Sequence, residues 1–253
     1  MLKYINGEMP PETKELINYS DGCAGQQKNS IFCSAFLHAS KNTNLEKINH
    51  IFFEKGHSQS EVDSIHARIE KHSKHLTVFD KQSWVKLVEN SKETEPVYSV
   101  KELEHEDILN VTDLAKAVLP NQLYVETPTE NGQEKEKLVW NDVHCIEYTK
   151  ENSEKIRVKY DIREDYRNVA ICKKPRNPSR ISTQRTSISG YKFKKKYPRK
   201  LGIAKEKKKD LVKLCEKQLI PSCYHSFYVS LPTNETEIDS SCTSTCSCDN
   251  CTE

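Results

Sequence analysis

Short apolar runs alternate with amphipathic stretches in the first half of the chain, and this alternation most constrains the fold. Residues 16–19 and 48–53 read as buried strands, and the apolar residues between them recur with helical spacing. Two further helices are predicted, one after Gly56 and one capped by Asp80. Because strands that alternate with helices are typical of parallel βαβ units, we predict an α/β fold for residues 1–117.

Asp21 follows the first predicted strand, within the stretch YSDGCAGQQKN. In open α/β sheets, ligands bind at the carboxyl ends of strands, and Gly22 and Gly25 permit close approach of the backbone. A carboxylate at this position can bind Mg²⁺, although one carboxylate does not make a site. The alternative interpretation is that Asp21 caps the following helix or forms a turn with Gly22.

A second set of ionisable side chains lies on the helix predicted after Gly56. Asp63, His66 and Glu70 recur at spacings of three and four residues, so they share one helical face. His57 adds a fourth polar group in the preceding turn. The set can ligate a metal ion, or it can form the solvated edge of an amphipathic helix.

The motifs YSDGCAGQQKN and GHSQSEVDSIHARIE, with the later stretch IPSCYHSFYVSLP, resemble a domain of transposon-derived animal proteins over residues 12–232. The layout of that domain resembles the C-terminal half of the RNase H-like core of DDE transposases and integrases. The resemblance implies a partial RNase H-like core, in which Asp21 matches the second catalytic acid. Asp63 matches the third acid, with Glu70 as the reserve candidate.

The same resemblance implies further roles for residues near these acids. A Mg²⁺ or Mn²⁺ ion would be bound by Asp21, Asp63 and His66. Phosphate or substrate contacts would come from His57, Gln26 and Lys28.

One departure from the pattern bears on activity. An RNase H-like core carries its first catalytic Asp on its first strand, yet residues 1–14 contain no Asp. Two-metal phosphoryl transfer requires carboxylates that bridge both ions, so we predict that this chain alone is inactive. The alternative is an active Mg²⁺-dependent nuclease or transposase that a partner chain or a missing N-terminal region completes. Without preceding strands, a sheet edge is left unpaired and favours self-association, unless the following β-region covers it.

Residues 118–172 have a different pattern, typical of a small antiparallel β-region. Two apolar runs, 123–125 and 138–140, flank Asn131 and Gly132, which is a strong hairpin signal. Apolar residues then alternate strictly from Ile156 to Ile162, as on one face of an antiparallel strand.

The segment 173–209 carries 15 Lys or Arg residues and one acid, Glu206. Such a segment can bind DNA or RNA by neutralising phosphates, while interleaved Tyr and Phe side chains stack on bases. The alternatives are a solvated surface and a nuclear import signal. The strongest candidates for nucleic-acid contact are Lys192, Lys194, Lys195, Lys196, Arg199 and Lys200. A C-terminal helix follows and completes the segment 173–230.

The tail, residues 231–253, is polar and rich in Ser and Thr, so we predict that it is disordered. Cys242, Cys246, Cys248 and Cys251 could enclose a tetrahedral Zn²⁺ ion. Their spacing is tighter than in standard zinc fingers, so we favour reduced thiols over a Zn²⁺ site.

The composition excludes few partners, because 39 Lys and Arg nearly balance 37 Asp and Glu. No stretch approaches the roughly 20 apolar residues of a membrane span, and no apolar signal segment opens the chain. We therefore expect an intracellular, nuclear protein that does not bind membranes. The sequence predicts a transposon-derived, nucleic-acid-binding protein with a remnant, incomplete DDE-type metal site. The other alternative is a non-catalytic adaptor that binds proteins.

Overall fold

The computed structural model describes residues 2–23, 25–54, 56, 59–129, 132–152, 154–171 and 188–234. The α-helices are α1 (Leu2–Gly7), α2 (Ser30–Asn42), α3 (Glu61–Ser73), α4 (Lys81–Glu89), α5 (Val111–Val118), α6 (Lys205–Glu216) and α7 (His225–Ser230). The strands are β1 (Glu15–Ser20), β2 (Lys47–Phe52), β3 (Tyr124–Thr129), β4 (Gly132–Lys137), β5 (Cys145–Thr149), β6 (Lys155–Lys159) and β7 (Arg167–Ala170). Short 3₁₀ helices cover His105–Asp107, Trp140–Asp142 and Ser222–Tyr224.

The chain forms two compact units, and the division falls within α3. The first unit comprises Met1–Ala67 with Glu102–Pro198, and it contains the whole sheet. The second unit comprises Arg68–Lys101 with Arg199–Glu253, and it contains α4, α6 and α7.

The first unit begins with the predicted parallel βαβ arrangement, which is confirmed. β1 and β2 pair in parallel, with Leu16 opposite Ile48 and Ser20 opposite Phe52. Helix α2 connects them, and the Asn29 side chain caps its start by accepting a hydrogen bond from the Phe32 amide at 2.9 Å. Most of α2 is buried because its apolar side chains face the sheet.

The described part of the first unit contains one mixed sheet of seven strands, in the order β1-β2-β5-β6-β7-β3-β4. The β1–β2 pair is parallel, and every other pair is antiparallel. The predicted hairpin is confirmed as β3–β4, with Thr129 opposite Gly132. The strands of the predicted β-region continue the sheet of β1 and β2, because β5 pairs antiparallel with β2.

The core of the first unit lies between α2 and one face of the sheet. Alternate residues of β2 point into it, so Ile48 and Phe52 are buried. Phe36 of α2 is fully buried and its ring centroid lies 5.5 Å from that of Tyr148 in β5. This packing holds the parallel and antiparallel parts of the sheet to the same helix.

The second unit is mainly helical. Asp80 caps α4 by accepting a hydrogen bond from the Ser83 amide at 2.8 Å, which confirms the predicted cap. The Tyr228 hydroxyl of α7 donates to the Phe79 carbonyl. Gly202 lies against the backbone of Thr233, where a Cβ atom would come within 2.3 Å of the Thr233 carbonyl carbon, so only glycine fits there. Among the described helices, none combines the length and apolar character that crossing a membrane requires.

Candidate functional site

Asp21 lies where the sequence predicts it, directly after β1 at the carboxyl end of the parallel pair. The Phe53 amide donates to the Ser20 carbonyl at 2.9 Å, so β1 and β2 stay paired up to this point. The side chain of Asp21 is exposed. Its position therefore agrees with a ligand site at a strand end, although it brings a single carboxylate.

Asp63 serves as a helix cap. Its carboxylate accepts hydrogen bonds from the Ser60 amide at 2.7 Å and from the Ser60 hydroxyl at 3.0 Å. The bond from the Ser60 amide is the main cause that lowers the pKa of Asp63, and the hydroxyl bond adds to it. This is the geometry of a capping residue at the third position of α3, and both bonds engage the same carboxylate oxygen, Oδ2.

Of the other predicted ligands, those in the described part of the chain do not join Asp63 in a metal site. His66 and Glu70 are exposed on α3, where Glu70 already belongs to the second unit. His57 lies outside the described residues, as do the cysteines Cys242, Cys246, Cys248 and Cys251. Within the described part of the chain, no group of three or more His, Cys, Asp or Glu side chains is arranged to hold a metal ion. The described residues therefore do not fit a two-metal centre.

Lys28, a predicted phosphate contact, is buried at the start of α2. Its ammonium group donates to the Asn141 carbonyl at 3.0 Å and lies 4.9 Å from the ring centroid of Phe52. A Cβ atom on Gly22 would come within 3.3 Å of the Lys28 Cε atom, so the side chain crosses closely over the loop after β1. Gln26, the neighbouring candidate, is exposed.

Sequence reasoning missed a buried polar pair beside these residues. The Ser20 hydroxyl and His50 Nε2 are 2.7 Å apart, and both side chains are buried. Burial, followed by the nearby charge of Lys28, lowers the pKa of His50 to about 4. The imidazole is therefore neutral at pH 7 and packs against Phe36 and Phe52, at ring-centroid distances of 5.0 and 4.1 Å. The alternation of β2 could have revealed it, since His50 falls on the same face as Phe52.

The segment 191–196 forms a cationic surface whose backbone is anchored to the first unit. It is tied to the stretch before α5, because the Asn110 amide donates to the Lys194 carbonyl at 2.8 Å. The Lys196 amide donates in turn to the Ile108 carbonyl at 2.7 Å. Lys192, Lys194 and Lys196 are exposed along this anchored backbone. We call these three residues the lysine strip.

The aromatic side chain of Phe193, in the same segment, faces the protein. Phe193 packs against the core, with its ring centroid 4.5 Å from that of His38. His38 Nε2 lies 3.0 Å from the Tyr191 carbonyl, which fixes the backbone beside Phe193. Phe193 is thus engaged in packing and is not presented for stacking on a base.

The remaining predicted nucleic-acid contacts differ in their surroundings. Lys195 forms an ion pair with Glu106 at 2.5 Å, so part of its charge is neutralised within the protein. Arg199 and Lys200 are exposed, and both belong to the second unit.

No family model, curated protein or solved structure matches the chain.

Proposed function

We propose that the protein binds nucleic acid through phosphate contacts made by the lysine strip, with DNA as the main ligand and RNA as a second one. The observation that carries this proposal is the presentation of Lys192, Lys194 and Lys196 from a backbone held by main-chain hydrogen bonds to residues 108–110. An ammonium group near a phosphate displaces condensed counterions, which drives binding. A fixed backbone reduces the entropy lost when the lysines engage.

Binding of this kind discriminates little between sequences. Phosphate contacts position a protein but carry no base information. The neighbouring aromatic side chain Phe193 is packed inward, so it does not add stacking on bases to the interaction. The basic cluster of residues 192–200 also suits nuclear import, which places the protein where DNA is available.

The salt dependence of binding tests this proposal. For the full chain and a duplex of arbitrary sequence, the logarithm of the association constant should fall linearly with the logarithm of salt concentration. Replacing all three lysines of the strip with alanine should make that slope less negative by as much as about 3 units, because each neutralised phosphate contributes about −0.9 to the slope. The triple arginine variant should keep the wild-type slope because it keeps the three charges.

A matched control separates the strip from overall charge. Lys71, Lys74 and Lys86 are also exposed, and replacing them with alanine removes the same charge from the helical second unit. The slope of this control should stay near that of the wild type. An equal reduction in both triple variants would assign binding to net charge. Binding that is absent at low salt would favour the protein-binding adaptor instead.

We further propose that the chain is transposon-derived and keeps a remnant of a DDE-type site. Two features support this interpretation: the motif around Asp21, and its position at the carboxyl end of the parallel β1–β2 pair. Asp63, the matching third acid, is engaged in the cap of α3. The chain by itself is therefore a binding protein and not a nuclease.

A cleavage assay tests the remnant site separately. The purified full chain, incubated with Mg²⁺ or Mn²⁺ and supercoiled DNA, should give no nicking above background. Asp21→Ala should leave both this result and DNA affinity unchanged, since one carboxylate cannot position both ions. Metal-dependent nicking that disappears in Asp21→Ala and in Asp63→Ala, but persists in Glu70→Ala, would establish the active nuclease.

A further inference from the structure

Strand β1 ends the sheet on one side, and its outer backbone groups are aligned for pairing. The carbonyls of Lys14 and Ser20 accept hydrogen bonds from the amides of Lys47 and Phe53. In a parallel pair, the N–H and C=O groups of one residue point to the same neighbouring strand, and this direction alternates along the chain. The N–H and C=O groups of the even-numbered residues of β1 therefore point to β2. The amides and carbonyls of Glu15, Ile17 and Tyr19 therefore point outward, beyond the edge of the described sheet.

The side chains on this edge are apolar and accessible. Ile17 is 51% exposed and Tyr19 is 58% exposed, on the face of the sheet opposite α2. The Tyr19 ring stacks on Phe53, with centroids 5.9 Å apart and an interplanar angle of 15°. Glu15, the one charged residue of β1, pairs with Lys47 of its own sheet at 2.8 Å. The edge thus combines outward-pointing backbone groups with an apolar surface, which favours strand addition.

We propose that β1 pairs antiparallel with β1 of a second copy of this chain, on a two-fold axis at Ile17. A hydrogen-bonded antiparallel pair requires outward groups on both residues, so odd residues must face odd residues. Placing Ile17 opposite the second Ile17 then sets Glu15 opposite Tyr19 on both sides of the axis. The surface is self-complementary, as a two-fold interface must be.

The neighbouring registers are less favourable. A shift of two residues in one direction brings Glu15 opposite the Asp21 of the second copy, which places like charges face to face. A shift in the other direction brings Tyr19 opposite Thr13, which precedes the strand, and leaves part of the apolar surface uncovered. The register centred on Ile17 pairs residues 15–19 of the two copies and avoids both penalties.

The contact is small, so the dimer should be weak. One pair of six-residue strands with a few apolar side chains buries less than the area of a standard stable interface. Sedimentation equilibrium of the full chain should therefore show monomer near about 1 μM and a growing dimer fraction towards about 1 mM.

Substitutions at Ile17 test the two-fold register. Ile17→Lys places two ammonium groups opposite each other and should raise the dissociation constant by about 10-fold or more. Ile17→Glu should do the same, whereas an equimolar mixture of the two variants should associate, and increasingly so at low salt. Gln133→Lys, which adds the same charge to the opposite edge strand β4, should leave association unchanged. Because Ile17 is half exposed, all variants should keep the wild-type circular dichroism spectrum.

Three results would overturn the proposal. The first is a wild-type chain that stays monomeric over the whole concentration range. The second is a dimer that Ile17→Lys leaves intact, or that Gln133→Lys weakens equally. The third is a mixture of folded Ile17→Lys and Ile17→Glu chains that fails to associate, because residue 17 would then not face itself.

Discussion

The two ends of the sheet are stabilised differently, one by buried apolar packing and the other by charged side chains. At one end, β1 and β2 are covered on one face by α2, and His50 packs among aromatic rings with full burial. At the other end, β4 is exposed at all six positions, with the sequence GQEKEK. Beside it, the buried Glu126 of β3 bonds to Lys135 at 3.2 Å and to Lys155 at 2.9 Å.

The two edge strands also differ in how well they are protected against pairing with another chain. Alternating charges on β4 are a common protection of an edge strand against pairing with another chain. β1 carries no such protection, since its single charge is bonded to Lys47. The sheet therefore has a charged edge at β4, which is protected against pairing, and an apolar edge at β1, which is open to pairing. The proposed dimer and the motif around Asp21 both lie at the open end.

The largest expected effect is on the free energy of unfolding, and it comes from a buried residue at the first end compared with an exposed residue at the second. Phe36 is fully buried between Phe32, His50 and Tyr148, with ring centroids 5.0 to 5.5 Å away. Phe36→Ala should lower the free energy of unfolding by about 3–5 kcal/mol, because it removes apolar packing and leaves a cavity. Glu136→Ala on β4 should change it by less than about 0.5 kcal/mol. Urea unfolding monitored by circular dichroism measures both.

Comparable decreases for the two variants would contradict this division of the sheet. So would a Phe36→Ala protein that keeps wild-type stability, since α2 would then not be required to hold the β1–β2 end.

The sequence predicts the local parts of this architecture well. The parallel β1–β2 arrangement, the Asp80 cap and the β3–β4 hairpin depend on residues close together in the chain, and the structure confirms them. The alternation predicted from Ile156 to Ile162 extends too far, because β6 ends at Lys159 and Ile162 is 68% exposed. The joining of β5 to β2 could not be predicted in the same way. An alternating strand indicates which of its faces is buried, but it does not identify its neighbour.

The candidate site was predictable to a similar extent. The position of Asp21 after a strand follows from local pattern, and so does the placement of Asp63 on a helix. The role of Asp63 as a cap depends on the conformation at Ser60, which the motif alone does not give. The inward direction of Phe193 depends on contact with His38, which lies 155 residues earlier in the chain. Only the folded structure brings such pairs together.

The next effect, smaller than that of Phe36, is a pH dependence of stability. The pKa of His50 is lowered to about 4 by burial and by Lys28, against 6.5 for an accessible histidine. Between these values the unfolded chain binds more protons, so stability falls as the pH falls from 6.5 towards 4. From pH 7 to pH 5, His50 should contribute a decrease of about 2 kcal/mol. His38, whose pKa burial also lowers, acts in the same direction.

The charged end of the sheet should respond in a more acidic range. Hydrogen bonds from Lys155 and Lys135 lower the pKa of Glu126 below its usual value of 4.5. A lowered carboxyl pKa gives stability that is present above the unfolded pKa and is lost as the pH falls through the folded one. The decrease in stability due to His50 should therefore be largely complete before the decrease due to Glu126 begins.

Two substitutions assign these decreases to the two ends. His50→Gln removes the titrating ring but keeps a polar partner for Ser20, so unfolding in urea at pH 7, 6 and 5 should show a much shallower decline. Glu126→Gln should leave the decline between pH 7 and 5 unchanged and alter stability only in more acidic solution. An undiminished decline in His50→Gln would mean that the imidazole reaches water and that the β1–β2 end is less tightly packed than its rings indicate. The disappearance of that decline in Glu126→Gln would mean that the two ends titrate as one unit.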